Sequence, residues 1–257
     1  MTRGQSVILG LLLIGWVQAA SADDCRVASL HGNMMFPVDR LTAESRCLLA
    51  EVIDHPSASG VVGPNDTPIG LPLYGYLLDH PTMTTRLMKR MGMGSFQILA
   101  KGLNRYWVDD GEGAEGLLSV ILQDSDHRIY YIDGRHRSVL FPTIRAKTVV
   151  FMRLMPAPSA QGRSGVQTIL ASYTRFEDGM LSRLLDLFHP LVTRAVNRTL
   201  AKEFGLTHRL GMLITEDPQR VLQEAAGLSE AGSDEWRALL ALIQAEALSS
   251  TPPNAAP

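Results

Sequence analysis

Apolar residues recur at helical spacing in two segments near the start of the chain, 42–53 and 79–91. Each repeats an apolar residue every three or four positions, which is the period of a helix with one buried face. Gly92 and Gly94 follow the second segment and predict its end. Between the two segments, residues 57–72 are rich in Gly, Pro and Ser, a composition that predicts a loop over the surface.

The period changes from that of a helix to that of strands from Phe96 onward. Runs with strand composition recur about every ten residues, with turn residues between them, which predicts an antiparallel meander. The runs cover 96–100, 104–108, 117–123, 128–133, 137–143, 147–154 and 166–174. Because side chains alternate along a strand, each run presents one apolar face. In the third and sixth runs those faces carry Leu118, Val120, Leu122, Val150, Met152 and Leu154.

The longest periodic pattern covers residues 179–204 and predicts an amphipathic helix that ends at Gly205. Pro190 should kink this helix near residues 186–189, because its ring removes one backbone hydrogen bond and crowds the preceding turn. The apolar positions of the helix include Leu184, Leu185, Phe188 and Val192.

The first 22 residues have the features of a cleavable export signal. Arg3 provides a positive start, Val7 to Val17 is apolar, and Ala20 to Ala22 supplies small residues for cleavage near Ala22. The apolar run is shorter than the ~20 residues that span a bilayer as a helix, so a retained membrane anchor is the less favoured alternative. We therefore expect a mature chain that begins near Asp23 and is periplasmic or secreted.

Cys25 and Cys47 are the two cysteines of the chain. In an oxidising compartment such a pair indicates a disulfide, and closing a loop of about 23 residues would stabilise the fold by about 3 kcal/mol. Two free buried thiols are the alternative. Neither cysteine has a His or a second Cys at the spacing of a metal site, so the pair predicts a staple for the N-terminal segment.

Neither the net charge nor the one glycine-rich motif indicates a nucleic acid or nucleotide partner. The chain carries 24 basic and 26 acidic residues, a balance that gives no general attraction to nucleic acid. Basic residues on the predicted helices could meet anionic lipid, although the polar side of an amphipathic helix is the simpler interpretation. Gly111 to Gly116 matches G-x-G-x-x-G, but a strand follows it where a dinucleotide site needs a helix, so we interpret it as a hairpin connection.

Candidate metal ligands are few. His127 and His136 flank predicted strands and could approach each other, yet surface positions beside turns are the simpler interpretation. The carboxylates of the loop that precedes the third run are interpreted as a solvated turn rather than as a calcium site. They are Asp109, Asp110, Glu112 and Glu115. We therefore expect neither a metal nor a cofactor.

The order of helix, antiparallel meander and long final helix resembles the START-like, Bet v 1-type (helix-grip) superfamily. The resemblance covers residues 71–205, and Phe188-His189-Pro190 is similar to the proline-interrupted helices of its bacterial members. It implies an α+β fold in which an antiparallel meander of about seven strands wraps a long kinked C-terminal helix. It also implies an apolar cavity between sheet and helix that binds a lipid, sterol, polyketide or other hydrophobic molecule.

This interpretation divides the chain into five parts. They are a signal peptide (1–22), an N-terminal extension stapled by Cys25 and Cys47 (23–70), a helix-grip domain (71–205), a helical C-terminal appendage (206–250) and a disordered tail (251–257). The helices predicted at 217–226 and 234–248 are additions to the family pattern.

Geometry also favours a ligand cavity in such a fold. The apolar stripe of one helix is narrower than the inner face of a broad twisted sheet, so part of that face has no helix to cover it. We expect the cavity to be lined by Leu118, Val120, Leu122, Val150, Met152, Leu154, Leu184, Leu185, Phe188 and Val192. The predicted function is binding or transfer of a lipid or other hydrophobic small molecule in the bacterial envelope, with transient membrane contact and no nucleic acid partner.

Two alternatives stay open from the sequence. A polyketide-cyclase or aromatase-like enzyme on the same fold would need polar side chains that converge in the cavity. The candidates are Tyr130, Tyr131, His136 and Tyr173. A non-ligand interaction module of the envelope would use the C-terminal helices as its surface and would have a filled core. The sequence has no G-x-S-x-G nucleophile motif, so we assign no catalytic residue.

Overall fold

The structure is a computed structural model that describes residues 25–137, 143–158, 164–177, 189–228 and 233–249. Most of these residues belong to one large antiparallel sheet or to the helices and short segments that cover its two faces. Within the described residues, no helix combines the length and the apolar composition of a membrane span.

Two short strands form a hairpin before the large sheet, β1 (Leu30–His31) and β2 (Met34–Met35). The large sheet has seven strands, β3 to β9 in chain order. Their bounds are Ala58–Thr67, Gln97–Ala100, Arg105–Asp109, Ala114–Gln123, His127–His136, Ile144–Pro158 and Ser164–Phe176. The last six form the predicted meander, and β3 pairs with β9, which gives the order β3-β9-β8-β7-β6-β5-β4.

The helices are grouped before and after the meander. Those before it are α1 (Ala43–Ile53), α2 (Leu71–Asp79) and α3 (Pro81–Arg90). Those after it are α4 (His189–Glu216), α5 (Pro218–Ala226) and α6 (Asp234–Ser249). Helix α1 begins as the sequence predicts, because the hydroxyl oxygen of Thr42 accepts a hydrogen bond from the backbone N–H of Ser45.

In the described residues from β3 to α4, the order is one strand, two helices, six strands and a long helix. This α+β arrangement, with a seven-stranded antiparallel sheet, a long C-terminal helix and further helices after it, confirms the predicted fold class. The predicted kink lies outside the described residues, apart from His189 and Pro190 at the start of α4.

Helices α2 to α6 cover the inner face of the sheet. Their apolar faces meet the strands in one buried cluster, in which each of these helices contributes a fully or nearly fully buried side chain. Examples are Leu73, Leu87, Leu210, Val221 and Trp236, packed with Met152 of β8. Burial of a side chain of this size stabilises a fold by about 1.5–3 kcal/mol, so this cluster fixes the helices on the sheet.

The outer face of the sheet is covered by the N-terminal segment. Phe36, Leu49 and Val52 pack there against Phe151 and its neighbours, forming a second buried cluster. A disulfide joins Cys25 to Cys47 and ties the start of this segment to helix α1, which confirms the predicted pairing.

The structure corrects the predicted loop at 57–72. Residues 58–67 are strand β3 and residues 71–79 are helix α2. Gly60, Gly63 and Pro64 gave this strand the composition of a loop. The strand tolerates them because β3 lies at the edge of the sheet and has a register shift between Val62 and Asn65.

The structure also corrects one predicted helix end, whereas one predicted strand lies largely outside the described residues. Arg137 and Thr143, the described ends of the run at 137–143, lie in no strand, and the rest of that run is outside the described residues. Helix α4 does not end at Gly205 but continues to Glu216, because Leu206, Leu210 and Ile214 extend its buried face. The boundary drawn at 205/206 therefore divides one helix, and the boundary at 70/71 separates β3 from the domain whose sheet it completes.

Candidate functional site: an apolar cavity between sheet and helices

A cavity of about 610 Å³ lies between the inner face of the sheet and helices α2, α3 and α4. Its size is within the range of ~300–1,000 Å³ that is usual for small-molecule sites. Most of the side chains around it are apolar, and they come from both the sheet and the helices. Among them are Leu77, Met88, Phe96, Val108, Leu118, Val120, Ile132, Leu200 and Phe204.

The floor of the cavity is formed where the sheet has almost no side chains. Gly116 of β6, Gly134 of β7 and Ala146 of β8 are direct neighbours across three strands, and all three line the cavity. A Cβ atom on Gly116 would lie 2.6 Å from the Cα atom of Gly134, so the two strands approach too closely for a side chain there. The volume that larger side chains would fill remains as open space above this floor.

The walls beside the floor are apolar side chains from adjacent rows. Leu118 and Ile132 are direct cross-strand partners, as are Val120 and Tyr130. Phe204 of α4 packs against Tyr130, with 6.0 Å between the ring centroids. The described part of the helix therefore meets the sheet at one side of the cavity, beside the glycine floor.

An ion pair stands at one end of the cavity. The guanidinium of Arg128 donates two hydrogen bonds to the carboxylate of Asp79, from Nε to Oδ1 at 2.9 Å and from Nη2 to Oδ2 at 3.0 Å. Arg128 is only 3% exposed, and its Nη1 donates further bonds to the backbone oxygens of His127 and Asp124. Asp79 lines the cavity, so this end carries a carboxylate whose charge the guanidinium offsets.

Two phenols lie near this ion pair. Burial raises the pKa of Tyr130, and burial together with the charges of Asp79 and Glu235 raises the pKa of Tyr106. Both phenols line the cavity and stay protonated at neutral pH. This end of the cavity therefore offers neutral hydroxyl groups, which suit a ligand with an uncharged polar group such as a hydroxyl or a carbonyl.

The carboxylates near the hairpin between β5 and β6 all have hydrogen-bond or ion-pair partners within the protein. An oxygen of Asp109 accepts the N–H of Gly111, and one of Asp110 accepts the N–H groups of Glu112 and Ala114. Glu115 pairs with two arginines, and Glu112 with Lys202 of α4. Within the described ranges no three His, Cys, Asp or Glu side chains come together as metal ligands. Residues 110–113 are thus the hairpin connection between β5 and β6, as the sequence indicates, and Gly116 at the end of the motif lies within β6.

His127 and His136 do not approach each other. They occupy the two ends of the same strand, β7, about 30 Å apart at ~3.4 Å per residue. His136 lines the cavity, whereas the ring of His127 contacts the carboxylate of Asp124 at 3.1 Å and the ring of Phe36. The idea of a paired histidine site is therefore wrong.

The structure separates the predicted cavity residues into three groups. Leu118 and Val120 line the cavity, whereas Val150, Met152 and Leu154 are fully buried in the inner cluster beside it. Leu122 lies on the outer face, because the register shifts between Val120 and Leu122 and reverses the alternation of β6. The remaining predicted residues cannot be placed: Leu184, Leu185 and Phe188 are outside the described residues, as is the side chain of Val192.

The four polar candidates for catalysis do not converge. Tyr130 and His136 line the cavity, but they are six residues apart on one strand, about 20 Å at ~3.4 Å per residue. Tyr131 and Tyr173 pack on the outer face with the N-terminal segment. No shared reaction centre is formed by these side chains.

Sequence patterns missed the floor and the helical wall of the cavity. The floor is invisible to a search for apolar faces, because Gly116 and Gly134 have no side chain. Two glycines in consecutive strands were the available signal, since glycine within a strand often marks a close approach of backbones. The wall formed by Leu77 belongs to α2, whose sequence follows the glycine-rich stretch directly.

No protein-family model and no curated protein matches the sequence. Solved structures with a similar course of the chain include a conserved protein from Geobacillus kaustophilus, Ara h 8.0201 and the norcoclaurine synthase from Thalictrum flavum. Their identities are 10%, 13% and 14%, and their TM-scores are 0.39, 0.38 and 0.39. Each alignment covers 60% of this chain and 93%, 99% and 87% of the respective structure. These TM-scores are below 0.5, so the fold and the cavity are inferred only from the strands and helices of this chain.

Proposed function

We propose that this protein binds or transfers a lipid or other hydrophobic small molecule in the bacterial envelope. The observation that carries the proposal is the cavity of about 610 Å³ with its apolar walls and glycine floor. A hydrocarbon chain gains about 0.8 kcal/mol for each methylene that leaves water, so about ten buried methylenes yield about 8 kcal/mol before the costs of association. Micromolar binding requires about 8 kcal/mol after association costs of at least about 4 kcal/mol, so a ligand that buries about 15 methylenes, or an apolar body of equal area, would reach it.

The polar end of the cavity narrows the class of ligand. Asp79 is neutralised by Arg128, and the phenols of Tyr106 and Tyr130 are uncharged at neutral pH. A free fatty-acid carboxylate at this end would face the carboxylate of Asp79, whose partner Arg128 is already engaged. We therefore propose a ligand with an apolar body and a neutral polar group, such as a sterol, an alcohol or an ester.

A matched pair of tryptophan variants tests the proposal. Val120 lines the cavity, whereas Met152 is 1% exposed in the packed cluster beside it. Val120→Trp should fill open space and weaken uptake of a fluorescent sterol at least about tenfold, with little change in melting temperature. Met152→Trp should instead destabilise the fold by about 1–3 kcal/mol, because it overpacks an occupied core.

Fluorescence titration and thermal unfolding of the wild type and both variants provide the measurement. Native mass spectrometry followed by organic extraction identifies any ligand that copurifies. The proposal fails if the wild type takes up no sterol, alcohol or ester probe and Val120→Trp unfolds as Met152→Trp does. The space would then be occupied by side chains, and the interaction-module alternative would be preferred.

The envelope location is the second part of the proposal. Structural disulfides such as Cys25–Cys47 belong to oxidising compartments, and residues 1–22 have the composition of an export signal. Expression of the full chain in a bacterium should yield periplasmic or secreted protein that begins near Asp23, as read by mass spectrometry. Leu12→Arg together with Leu13→Arg should leave the uncleaved chain in the cytoplasm. An unprocessed wild-type chain would contradict this location.

A further inference from the structure

The turn between β4 and β5 presents a leucine to solvent. Leu103 is 91% exposed, the largest exposure of any large apolar side chain among the described residues. The turn is held by backbone hydrogen bonds, from Lys101 N–H to the Arg105 oxygen at 2.8 Å and from Val120 N–H to the Asn104 oxygen at 2.8 Å. Leu103 therefore projects from a fixed part of the sheet.

A row of apolar side chains continues from this turn along the outer face. Leu99, Trp107 and Leu117 are direct neighbours across β4, β5 and β6. Leu99 is 46% exposed, and Trp107 and Leu117 are half-buried. Within the described residues, Trp107 and Leu117 pack against neither buried cluster, because the N-terminal segment covers the opposite part of this face.

Charge is distributed unevenly along the same hairpin. Lys101 and Arg105 flank Leu103, both are exposed, and neither forms an ion pair with another described residue. Asp109 lies at the other end of β5, about 14 Å from Arg105 at ~3.4 Å per residue, and Asp110 follows it. The tip is thus basic and apolar at once, and the carboxylates of the hairpin itself lie at its other end.

We propose that the hairpin tip formed by Leu99, Lys101, Leu103, Arg105 and Trp107 docks on an anionic lipid bilayer. A leucine that projects between two cations can enter the acyl region while the cations stay with the phosphates, and tryptophan favours the boundary between them. A protein partner would require a broad patch of about 800 Å² on each side, which a narrow turn does not provide.

The inference rests on the proposed function and extends it. The opposite face of the same hairpin lines the cavity through Ile98 and Tyr106. Docking of the tip would therefore place one wall of the cavity at the membrane surface, where a hydrophobic ligand leaves or enters the bilayer.

Tryptophan quenching by brominated lipid tests the docking in the full chain. Trp16→Phe ensures that any uncleaved chain also reports only through Trp107 and Trp236, of which Trp236 is only 2% exposed. Vesicles of brominated phosphatidylcholine with about 30% phosphatidylglycerol should quench Trp107 and shift its emission to the blue, and vesicles without the anionic lipid should do so at least about tenfold more weakly.

Three variants in this background complete the experiment. Leu103→Asp, and Lys101→Glu together with Arg105→Glu, should each weaken quenching about tenfold or more. Leu248→Asp, at a leucine of α6 that is 78% exposed, should leave it unchanged. Uptake of a soluble probe is measured in parallel, and Leu103→Asp should retain it.

The outcomes separate the two proposals. Absence of Trp107 quenching on anionic vesicles overturns the docking proposal. Equal losses of quenching with Leu103→Asp and Leu248→Asp overturn it too. Either result would be expected if the protein bound the vesicles only through its N-terminal apolar run. Capture of a protein without lipid quenching overturns it as well. If probe uptake is also absent in the wild type, the proposed function falls independently.

Discussion

Single residues decide how polar the ends of the cavity are. Arg128 is on the inner face of β7 beside apolar neighbours, where an unpaired charge would be costly. The bidentate contact with Asp79 and the backbone oxygens at Nη1 compensate for this cost. Removing either charge would leave the other one buried without a partner, which lowers the free energy of unfolding.

Asp79→Asn should destabilise the protein by about 2 kcal/mol. This is less than the ~3–5 kcal/mol of a fully buried pair, because the side chain of Asp79 is 27% exposed. Asp234→Asn makes the same change at a carboxylate that is 92% exposed and paired with Arg237, and it should cause little loss. Urea unfolding of both variants checks this. Equal losses would mean that Arg128 finds other partners.

His31 makes the outer face sensitive to pH. Its ring stacks on Phe151, Nε2 donates to the Ala28 oxygen at 2.7 Å, and Nδ1 is 3.0 Å from the hydroxyl of Tyr173. Burial lowers the pKa of His31 below its usual 6.5, and the bond to Ala28 opposes this only in part. The folded state thus prefers the neutral ring, whereas the unfolded chain takes up a proton more readily.

The free energy of unfolding should therefore decrease as pH falls below 6.5 towards the lower pKa of folded His31. In that window the unfolded chain binds more protons, so stability rises with pH and is complete above 6.5. Urea unfolding at pH 7.5 and pH 5.5 measures the difference. His31→Gln should reduce the difference and be less stable at both values. A wild type equally stable at the two values would rule out this account.

At the scale of elements, helix α4 shows how packing overrides propensity. Its two glycines differ in surroundings: a Cβ atom on Gly205 would meet nothing within 4 Å, whereas one on Gly211 would lie 2.4 Å from Cγ2 of Thr67. Gly211 is needed where the helix crosses β3 closely. Gly205 only weakens the helix.

Gly205→Ala should raise the free energy of unfolding by about 0.5–1 kcal/mol, because alanine loses less conformational freedom in a helix. Gly211→Ala should lower it, since the added methyl group collides with Thr67. Denaturant unfolding of the two variants side by side is the measurement. A gain of stability in both would show that α4 shifts freely over β3.

The elements predicted from the sequence were those with a clear period. Helix α1 and most of the meander follow from their spacing, because each has one buried face. Strand β3 was missed because Gly and Pro within a strand resemble a turn, and only its pairing with β9 shows the difference. The bulge near Ile121 was also invisible, since strict alternation predicts that Leu122 shares a face with Val120.

The candidate site was predicted only in outline. Leu118 and Val120 were predicted because apolar side chains form an alternating pattern along the strand. The glycine floor was missed because glycine has no side chain and so adds nothing to such a pattern. Val150, Met152 and Leu154 were predicted to line the cavity but are buried by the helices packed over them. The periodicity of one strand does not show which helices will cover it.

At the scale of the molecule, both faces of the sheet carry packed segments, although described residues cover the outer face only over β7, β8 and β9 and the adjoining end of β6. Among the described residues, five helices lie on the inner face, and the N-terminal segment held by Cys25–Cys47 lies on the outer face. This explains why β8 has a continuous apolar run from Val149 to Met152 rather than an alternating one.

Cys25→Ser together with Cys47→Ser should lower the free energy of unfolding by about 3 kcal/mol, because the open chain gains conformational freedom when it unfolds. The wild type in excess dithiothreitol should match the double variant. Thiol labelling of the denatured, unreduced protein should find no free thiol, and two labels per chain would show that the disulfide does not form.

The pairing of β3 with β9 also sets the order in which the molecule becomes complete. Gly60 and Ser172 are cross-strand partners although 112 residues separate them. Contacts between such distant residues form slowly, because a long loop must close before they stabilise anything. During synthesis β3 must wait until β9 has been made, and the N-terminal segment, which packs on β8 and β9, must wait as well. The cavity is also completed late, because its lining includes Thr199, Leu200 and Phe204 of helix α4, which is made after β9.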